Sequence, residues 1–308
     1  MIKKETSKTF RGLAIILVVA SHYAEWIGAS ETGTIGQFIM RLGDFGVDIF
    51  FFLSGYGLAR AAFKTGINLN FIRRRGISVY FPYLIILTVM ELMDGRFLAA
   101  DKSWFNFFTG FDYWFMRNLF LFYLFFFICW KLRKMRNLLL AVFVFAYSYY
   151  LLMSGRIEFW YVSNIAFVMG AFVGDKEDFL KKFLKKLPVK LPGLVLITYS
   201  LYMANREFAL PKEAESLVFL HFLFTLGLLL LLSGKEIKGY VLSLSGSYSL
   251  YFYLLHTRLF HAMYWNWQLP EGLKAVLVFI CSALISIAVG FVCQDVLLKG
   301  IQRLNVKK

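Results

Sequence analysis

Two residues able to do chemistry, Arg11 and His22, lie in the stretch FRGLAIILVVASHYAEW, which otherwise has the composition of a membrane-spanning helix. Eleven helical residues turn through about 1100°, so both side chains point the same way, about 16 Å apart along the axis. Glu25 follows His22 by three residues, on a neighbouring face. An imidazole can act as a general base, and a guanidinium binds anions. Taken singly, Arg11 could be a topology anchor, His22 could make an interhelical hydrogen bond, and Glu25 could reach water. Because charges inside a membrane helix are costly, their occurrence together favours a functional site.

A second ionisable group, Asp48, lies in the apolar stretch GVDIFFFLSGYG, residues 46–57. An intramembrane carboxylate is unfavourable unless it is paired. His22 lies at a similar depth in the adjacent segment, so we expect Asp48, or Glu25, to orient the imidazole. The glycines and Ser54 of this stretch are small enough for close helix packing. His221 is alone in a later apolar segment and is interpreted as structural.

Three consecutive arginines, Arg73, Arg74 and Arg75, precede a third apolar segment that contains Pro82. They are either topology signals, contacts to anionic lipid or a clamp for phosphate oxygens. Pro82 is expected to kink this segment or to free backbone groups. Other polar residues lie in later segments, among them Trp114, Tyr248 and His256.

The composition of the 308 residues is that of a membrane protein, with 59% hydrophobic and 19% aromatic residues. The net charge of +15 does not indicate nucleic-acid binding, because the charges lie in short connections between apolar segments. Cys129, Cys281 and Cys293 lie in apolar stretches without metal-ligand spacing and are interpreted as packing residues.

The elements that must position these residues are about ten membrane helices in a single all-α domain, residues 1–308, without a soluble domain. Most Lys and Arg fall in alternate connections, which predicts cytoplasmic termini in a multi-pass protein of a cell membrane. Residues 174–192 predict one amphipathic helix at the membrane interface. The predicted spans are 10–27, 45–63, 76–93, 113–130, 137–153, 159–174, 191–205, 215–233, 245–264 and 274–297.

With these motifs in place, the chain resembles membrane acyltransferase family 3, bacterial multi-pass O-acyltransferases that modify surface polysaccharides. The family has Arg and His eleven residues apart in its first helix, as at Arg11 and His22. Its later motifs resemble GVDIFFFLSGY at 46–56, RRGISVYFPY at 74–83 and SYSLYFYLLH at 247–256. Two positions depart from the family pattern: Ser78 replaces an arginine, which weakens a full phosphate clamp, and Asp112 replaces a histidine that many relatives carry.

The resemblance implies transfer of an acyl group, acetyl by family frequency, from cytoplasmic acyl-CoA to a hydroxyl of a cell-surface or lipid-linked glycan. His22 is then the general base or an acyl carrier, and Asp48 or Glu25 orients it. No bound cofactor or metal is implied. Membrane lipid is the other expected partner; the sequence does not identify the acceptor, and it indicates no oligomeric state. The expected donor contacts are Arg11, Arg73, Arg74, Arg75 and Ser54, and the expected acceptor contacts are Trp114, Tyr248 and His256.

Two other functions fit the same residues. A transporter or flippase of a lipid-linked glycan also uses intramembrane His, Asp and Arg, although no repeated half is detected. A structural subunit of an envelope complex would tolerate His22→Ala.

Overall fold

The computed structural model describes residues 2–28, 34–99, 101–185, 187–206, 214–233 and 236–298, and all regular structure within them is helical. Two π-helical segments, Gly76–Tyr80 and Phe291–Leu298, and two 3₁₀ turns, Arg133–Met135 and Glu158–Trp160, interrupt or join the α-helices. The α-helices are α1 Lys4–Trp26, α2 Thr34–Thr65, α3 Leu69–Arg75, α4 Phe81–Met93, α5 Trp104–Thr109, α6 Trp114–Trp130, α7 Arg136–Met153, α8 Asn164–Asp175, α9 Glu177–Leu184, α10 Lys190–Arg206, α11 Ala214–Leu232, α12 Tyr240–Ser247, α13 Ser249–Tyr264 and α14 Glu271–Gly290.

Each of the ten predicted segments contains a helix, although several differ from the prediction in extent, among them α1, which begins at Lys4, and α8, which begins at Asn164. Helix α2 is much longer than predicted, and the predicted span 245–264 is divided at Tyr248 into α12 and α13. In the described residues, four helical stretches are long and apolar enough to cross a membrane by themselves: Leu69–Met93, Arg136–Met153, Glu215–Leu232 and Glu271–Leu298. Ten crossings and cytoplasmic termini stay predictions.

The predicted amphipathic helix corresponds to α9, which is shorter than the predicted segment. Phe179 and Phe183 are both exposed on it. Lys181 and Lys182 lie in its last turn. Exposed aromatic and basic side chains on one short helix are what an interfacial position requires.

Glycines bring α1, α2, α8 and α12 into close contact. A Cβ atom on Gly246 of α12 would collide with the carbonyl oxygen of Lys8 and approach Gly12 N to 2.7 Å. A Cβ atom on Gly170 of α8 would collide with the backbone of Phe52 on α2. Small residues at such crossings let helix backbones approach within a bilayer. These four helices therefore form the tightly packed part of the fold.

The predicted irregularity at Pro82 takes the form of the π-helical segment just before it. Proline has no N–H to donate to the carbonyl four residues earlier, that of Ser78, and its ring excludes that carbonyl from the helix. The chain widens instead, and the N–H of Phe81 donates to the carbonyl of Gly76. Such single-turn π segments are common at functional sites.

Candidate active site

A cavity of about 720 Å³ lies between α1, α2, α6, α13 and the π segment before Pro82. Arg11 and His22 both line it, as does Glu25. Its volume is typical of a pocket for a small ligand or cofactor. The three turns of α1 between Arg11 and His22 make the cavity at least about 16 Å long.

One end of this cavity, the arginine end, is defined by Arg11 and Arg75. Arg75 donates a 3.4 Å hydrogen bond to the carbonyl oxygen of Gly57 and lies close enough to Arg11 for the two charges to repel. In the part of the chain that the structure describes, neither guanidinium is paired with a carboxylate. Two adjacent cations without a counter-ion create a site that favours an anion, and guanidinium forks match phosphate oxygens.

Only one of the three consecutive arginines contributes to this end. Arg73 and Arg74 are exposed and do not line the cavity, so their contact with the same ligand as Arg75 stays a prediction. Successive residues of a helix point about 100° apart, which prevents three neighbours from sharing one face. Ser78, which replaces the family arginine, lines the cavity through the π segment. Ser54 lines it as well.

The opposite end, the histidine end, is defined by His22 and Glu25. His22 Nδ1 lies 3.6 Å from Glu25 Oε2, a distance suited to an ion pair and slightly long for a hydrogen bond. The His22 ring also stacks on Trp26, with centroids 5.5 Å apart, and on His256, with centroids 5.2 Å apart. Aromatic contacts on this scale fix the plane of the imidazole. Of the two carboxylates that the sequence left open as partners of His22, Glu25 is the one that lies next to it.

His256 does not line the cavity, but it contacts His22 from α13. Its Nδ1 lies 2.7 Å from the carbonyl oxygen of Tyr253, and only a protonated Nδ1 can donate to that oxygen. In neutral His256 the other nitrogen, Nε2, is then a hydrogen-bond acceptor. The histidine end thus contains two imidazoles in contact, one of them held in a single tautomer.

The expected pairing of His22 with Asp48 is wrong. Asp48 is fully buried, and its Oδ2 lies 2.6 Å from Nδ1 of His221 on α11. His221 also stacks on Phe45, with centroids 4.8 Å apart, so it is not alone. Val47 faces the cavity, and the next residue along α2 points about 100° away from it, toward α11. Neither Asp48 nor His221 lines the cavity.

The histidine end also contains charged residues that sequence analysis missed. Arg41 and Asp44 of α2 and Glu158 of a 3₁₀ turn all line the cavity. Arg41 Nη1 lies 3.6 Å from Asp44 Oδ2 and 3.8 Å from Glu158 Oε1. Asp44 precedes Asp48 by one helical turn, and this spacing could have identified Asp44 in the sequence as a second carboxylate on α2. Glu158 lies outside any apolar segment, and nothing in the sequence indicated it.

The three residues expected on the acceptor side are not together. Trp114 lines the cavity, and His256 lies against His22. Tyr248 does not line it, and its hydroxyl donates a 2.8 Å hydrogen bond to Asp295. Tyr248 directly follows α12, whose Gly246 packs on α1 between Lys8 and Gly12, next to Arg11. Tyr248 therefore lies nearer the arginine end than the histidine end, and its contact with the acceptor stays a prediction.

Among the described residues, no group of three or more His, Cys, Asp and Glu side chains is arranged to hold a metal ion. One end of the cavity is suited to an anion, and the other end places an imidazole beside a carboxylate, an arrangement suited to proton transfer.

A family model described as an acyltransferase domain, that of the acyltransferase 3 family, matches residues 8–295. The matched range includes both ends of the cavity. No curated protein and no solved structure matches the chain significantly.

Proposed function

The chain belongs to the acyltransferase 3 family, which makes it a membrane acyltransferase, and on this premise we propose that it acylates a glycan hydroxyl from acyl-CoA. One observation carries the proposal: a single cavity joins two unpaired arginines to a histidine oriented by a carboxylate. The donor needs the first of these ends, because CoA carries phosphates. The transfer needs the second, because a hydroxyl must lose its proton.

The proposed orientation places the arginine end at the cytoplasm. It follows from ten crossings with both termini cytoplasmic, the arrangement that the distribution of Lys and Arg predicts. Acyl-CoA then binds from the cytoplasm and the glycan binds from the outer side of the plasma membrane. Only the acyl group then passes from the cytoplasmic side to the outer side, and the charged donor stays in the cytoplasm.

In the donor complex, Arg11 and Arg75 contact the phosphates of CoA, and Ser54 lies along the path between the two ends. The pantetheine arm is about as long as the separation of Arg11 from His22, about 16 Å. Along this path, Val18 of α1 and Phe50 of α2 present an apolar wall to the arm. This fit brings the thioester carbonyl to His22. Acetyl is the proposed acyl group, on family frequency.

In the transfer step, His22 removes the proton from the acceptor hydroxyl while the hydroxyl oxygen attacks the thioester carbonyl carbon. The C–S bond breaks, an ester forms, and the imidazolium returns the proton to the departing thiolate to give CoA-SH. Glu25 stabilises the imidazolium through its carboxylate, 3.6 Å from His22 Nδ1. Trp114 lines the cavity at this end and is the proposed contact of the acceptor, and His256, which is buried against the His22 ring, is proposed to act on the acceptor side through that ring contact.

The test compares wild type, His22→Ala and His261→Ala in membranes at matched expression. His261 is an exposed histidine that does not line the cavity, so its variant is the matched control. Radiolabelled acetyl-CoA is supplied with native envelope extract, and both CoA release and labelled glycan are followed. We expect transfer by wild type and His261→Ala, and a loss of about 10²-fold or more in His22→Ala.

Equal transfer by His22→Ala would remove His22 from the chemistry. Movement of glycan across vesicles without any acyl donor would favour a transporter instead.

A further inference from the structure

The histidine end of the cavity carries more negative than positive charge. Among the described residues that line this end, Glu25, Asp44 and Glu158 are carboxylates and Arg41 is the cation. His22 adds no charge as long as it is neutral, the form that a general base requires. The arginine end has the opposite sign. The two ends of one cavity therefore favour ligand groups of opposite charge.

Helix packing places Asp44 next to His22. A Cβ atom on Gly43, the residue before Asp44, would collide with the side chain of Ser21, the residue before His22. Ser21 also donates a hydrogen bond to the carbonyl oxygen of Met40 on α2. Asp44 lies close enough to His22 for their charges to interact. A substrate bound at His22 therefore meets the Asp44 carboxylate.

Buried side chains hold Glu158 at the cavity. Glu158 begins the 3₁₀ turn that ends at Trp160, and the carbonyl oxygen of Trp160 accepts hydrogen bonds from Asn118 Nδ2 at 2.8 Å and Asn164 Nδ2 at 3.3 Å. The Tyr147 hydroxyl donates a 2.9 Å hydrogen bond to Asn118 Oδ1. Both asparagines are buried in the bundle. The turn that carries Glu158 is therefore already in place, which lowers the ordering cost of binding.

Arg41 lies between the two carboxylates at ion-pair distance, 3.6 Å from Asp44 Oδ2 and 3.8 Å from Glu158 Oε1. An ionised carboxylate has about four acceptor sites, so both groups can still accept hydrogen bonds from ligand hydroxyls. Trp114 and Phe159 line the cavity as well, with ring centroids 5.2 Å apart. These five residues, here called the acceptor rim, combine hydrogen-bonding groups with aromatic faces. Such a set suits the hydroxyls and the C–H face of a sugar ring.

The acceptor rim is reached without crossing a layer of packed side chains. The side chains of His22 and Glu25 are 35% and 58% exposed, and those of Asp44 and Glu158 are 22% and 29% exposed. All four line the same cavity. A ring that enters beside Glu25 therefore meets the rim and His22 within one continuous space.

We infer that the acceptor rim selects for charge: the glycan unit that is acylated is a neutral sugar ring, and a uronic acid or a phosphate-substituted sugar is rejected. The inference rests on the proposed function for the acceptor being a glycan. An anionic unit beside His22 would face three carboxylates and one guanidinium, and like charges at close range oppose binding. The hydroxyls of a neutral ring instead donate to those carboxylates, and hydrogen bonds to a charged group are the stronger kind.

The test measures binding, so that it does not depend on acyl transfer. The full chain in phosphatidylcholine nanodiscs is dialysed against radiolabelled methyl glycosides of glucose, galactose and mannose. It is also dialysed against the methyl glycosides of the three corresponding uronic acids, in which a carboxylate replaces one CH₂OH group. We expect at least one neutral glycoside to bind about tenfold more tightly than its acid, or better.

The double variant Asp44→Asn, Glu158→Gln removes two negative charges from the rim. We expect it to bind the acid about tenfold more tightly than the wild type does. A loss of folding cannot produce such a gain. Glu215→Gln is the matched control, because Glu215 is exposed on α11 and does not line the cavity, and it should keep the wild-type preference.

Three results would overturn the inference: no binding of any of the six glycosides, an acid that binds wild type as tightly as its neutral counterpart, or the same preference in the double variant and in Glu215→Gln. Failure of the proposed function is a different result. The wild type would then transfer no acyl group from acetyl-CoA, while its preference for the neutral glycoside would still depend on Asp44 and Glu158.

Discussion

Replacing Arg75 by glutamine should weaken binding of acetyl-CoA without altering the chemistry. Arg75 is one of two guanidiniums at the arginine end, and neither is paired with a carboxylate in the described residues. A hydrogen bond to a charged group contributes about 1.5–3 kcal/mol, which corresponds to about a 10- to 150-fold increase in KM. kcat should change little, because the phosphates that Arg75 contacts lie about 16 Å from the reacting carbonyl.

The structure supplies a matched control in the neighbouring residue. Arg74 has the same charge on the same helix but is exposed and does not line the cavity, so Arg74→Gln should leave KM for acetyl-CoA unchanged. A second control uses S-acetylpantetheine, which lacks the nucleotide phosphates. With this donor, wild type and Arg75→Gln should have equal kcat/KM.

Initial rates of CoA release at varied donor concentration provide the assay, with detergent-purified variants at equal amounts of folded protein. The reasoning would be refuted if Arg74→Gln and Arg75→Gln raised KM alike, since bulk surface charge would then explain donor binding. It would also be refuted if Arg75→Gln lost as much activity with S-acetylpantetheine as with acetyl-CoA, because the defect would then be structural.

Three further predictions concern packing and can be measured by thermal unfolding in detergent, with activity as a second measurement. Asp48→Ala should destabilise the protein by about 3–5 kcal/mol, because His221 loses its buried partner. Replacing both Asp48 and His221 by leucine should restore most of that loss. A double variant as unstable as Asp48→Ala would show that the loss does not come from an unpaired buried group. Gly246→Ala should destabilise by about 1–3 kcal/mol because its Cβ meets the backbone of α1, whereas Gly57→Ala, with nothing within 4 Å of its Cβ, should not, and equal effects would argue against close packing as the cause. Pro82→Ala should lower activity more than stability, because an α-helical turn would replace the π segment and move its residues out of the cavity wall. Unchanged activity would show that the π segment is not needed.

The sequence was sufficient to predict where the helical segments lie and which residues share one face of α1. Apolar runs long enough for a bilayer identify helices because each backbone polar group there must be satisfied within the segment. The alignment of Arg11 with His22 follows from the helical period alone, and both residues line one cavity.

Partners across helices were not predictable in the same way. Asp48 was expected to pair with His22, yet it pairs with His221, 173 residues away in the chain. Similar depth in two segments says nothing about which face of each helix meets the other, since that depends on packing of the whole bundle. For the same reason, the sequence did not indicate which of Arg73, Arg74 and Arg75 lines the cavity, because that depends on how the helix before the π segment packs.

The apolar middle of the cavity has a consequence for the electrical insulation of the membrane. A cavity reaching from Arg11 to Glu25 covers about 21 Å of helix, a large part of the roughly 30 Å hydrocarbon thickness. A water-filled channel of that length would dissipate the proton gradient. Between its polar ends the wall presents Val18, Val47, Phe50 and Leu119 beside Ser54, and the four apolar side chains offer an ion no ligands in place of its hydration shell. We expect this mostly apolar stretch to raise the free energy of an ion passing along the cavity, so that ion leakage between turnovers is low.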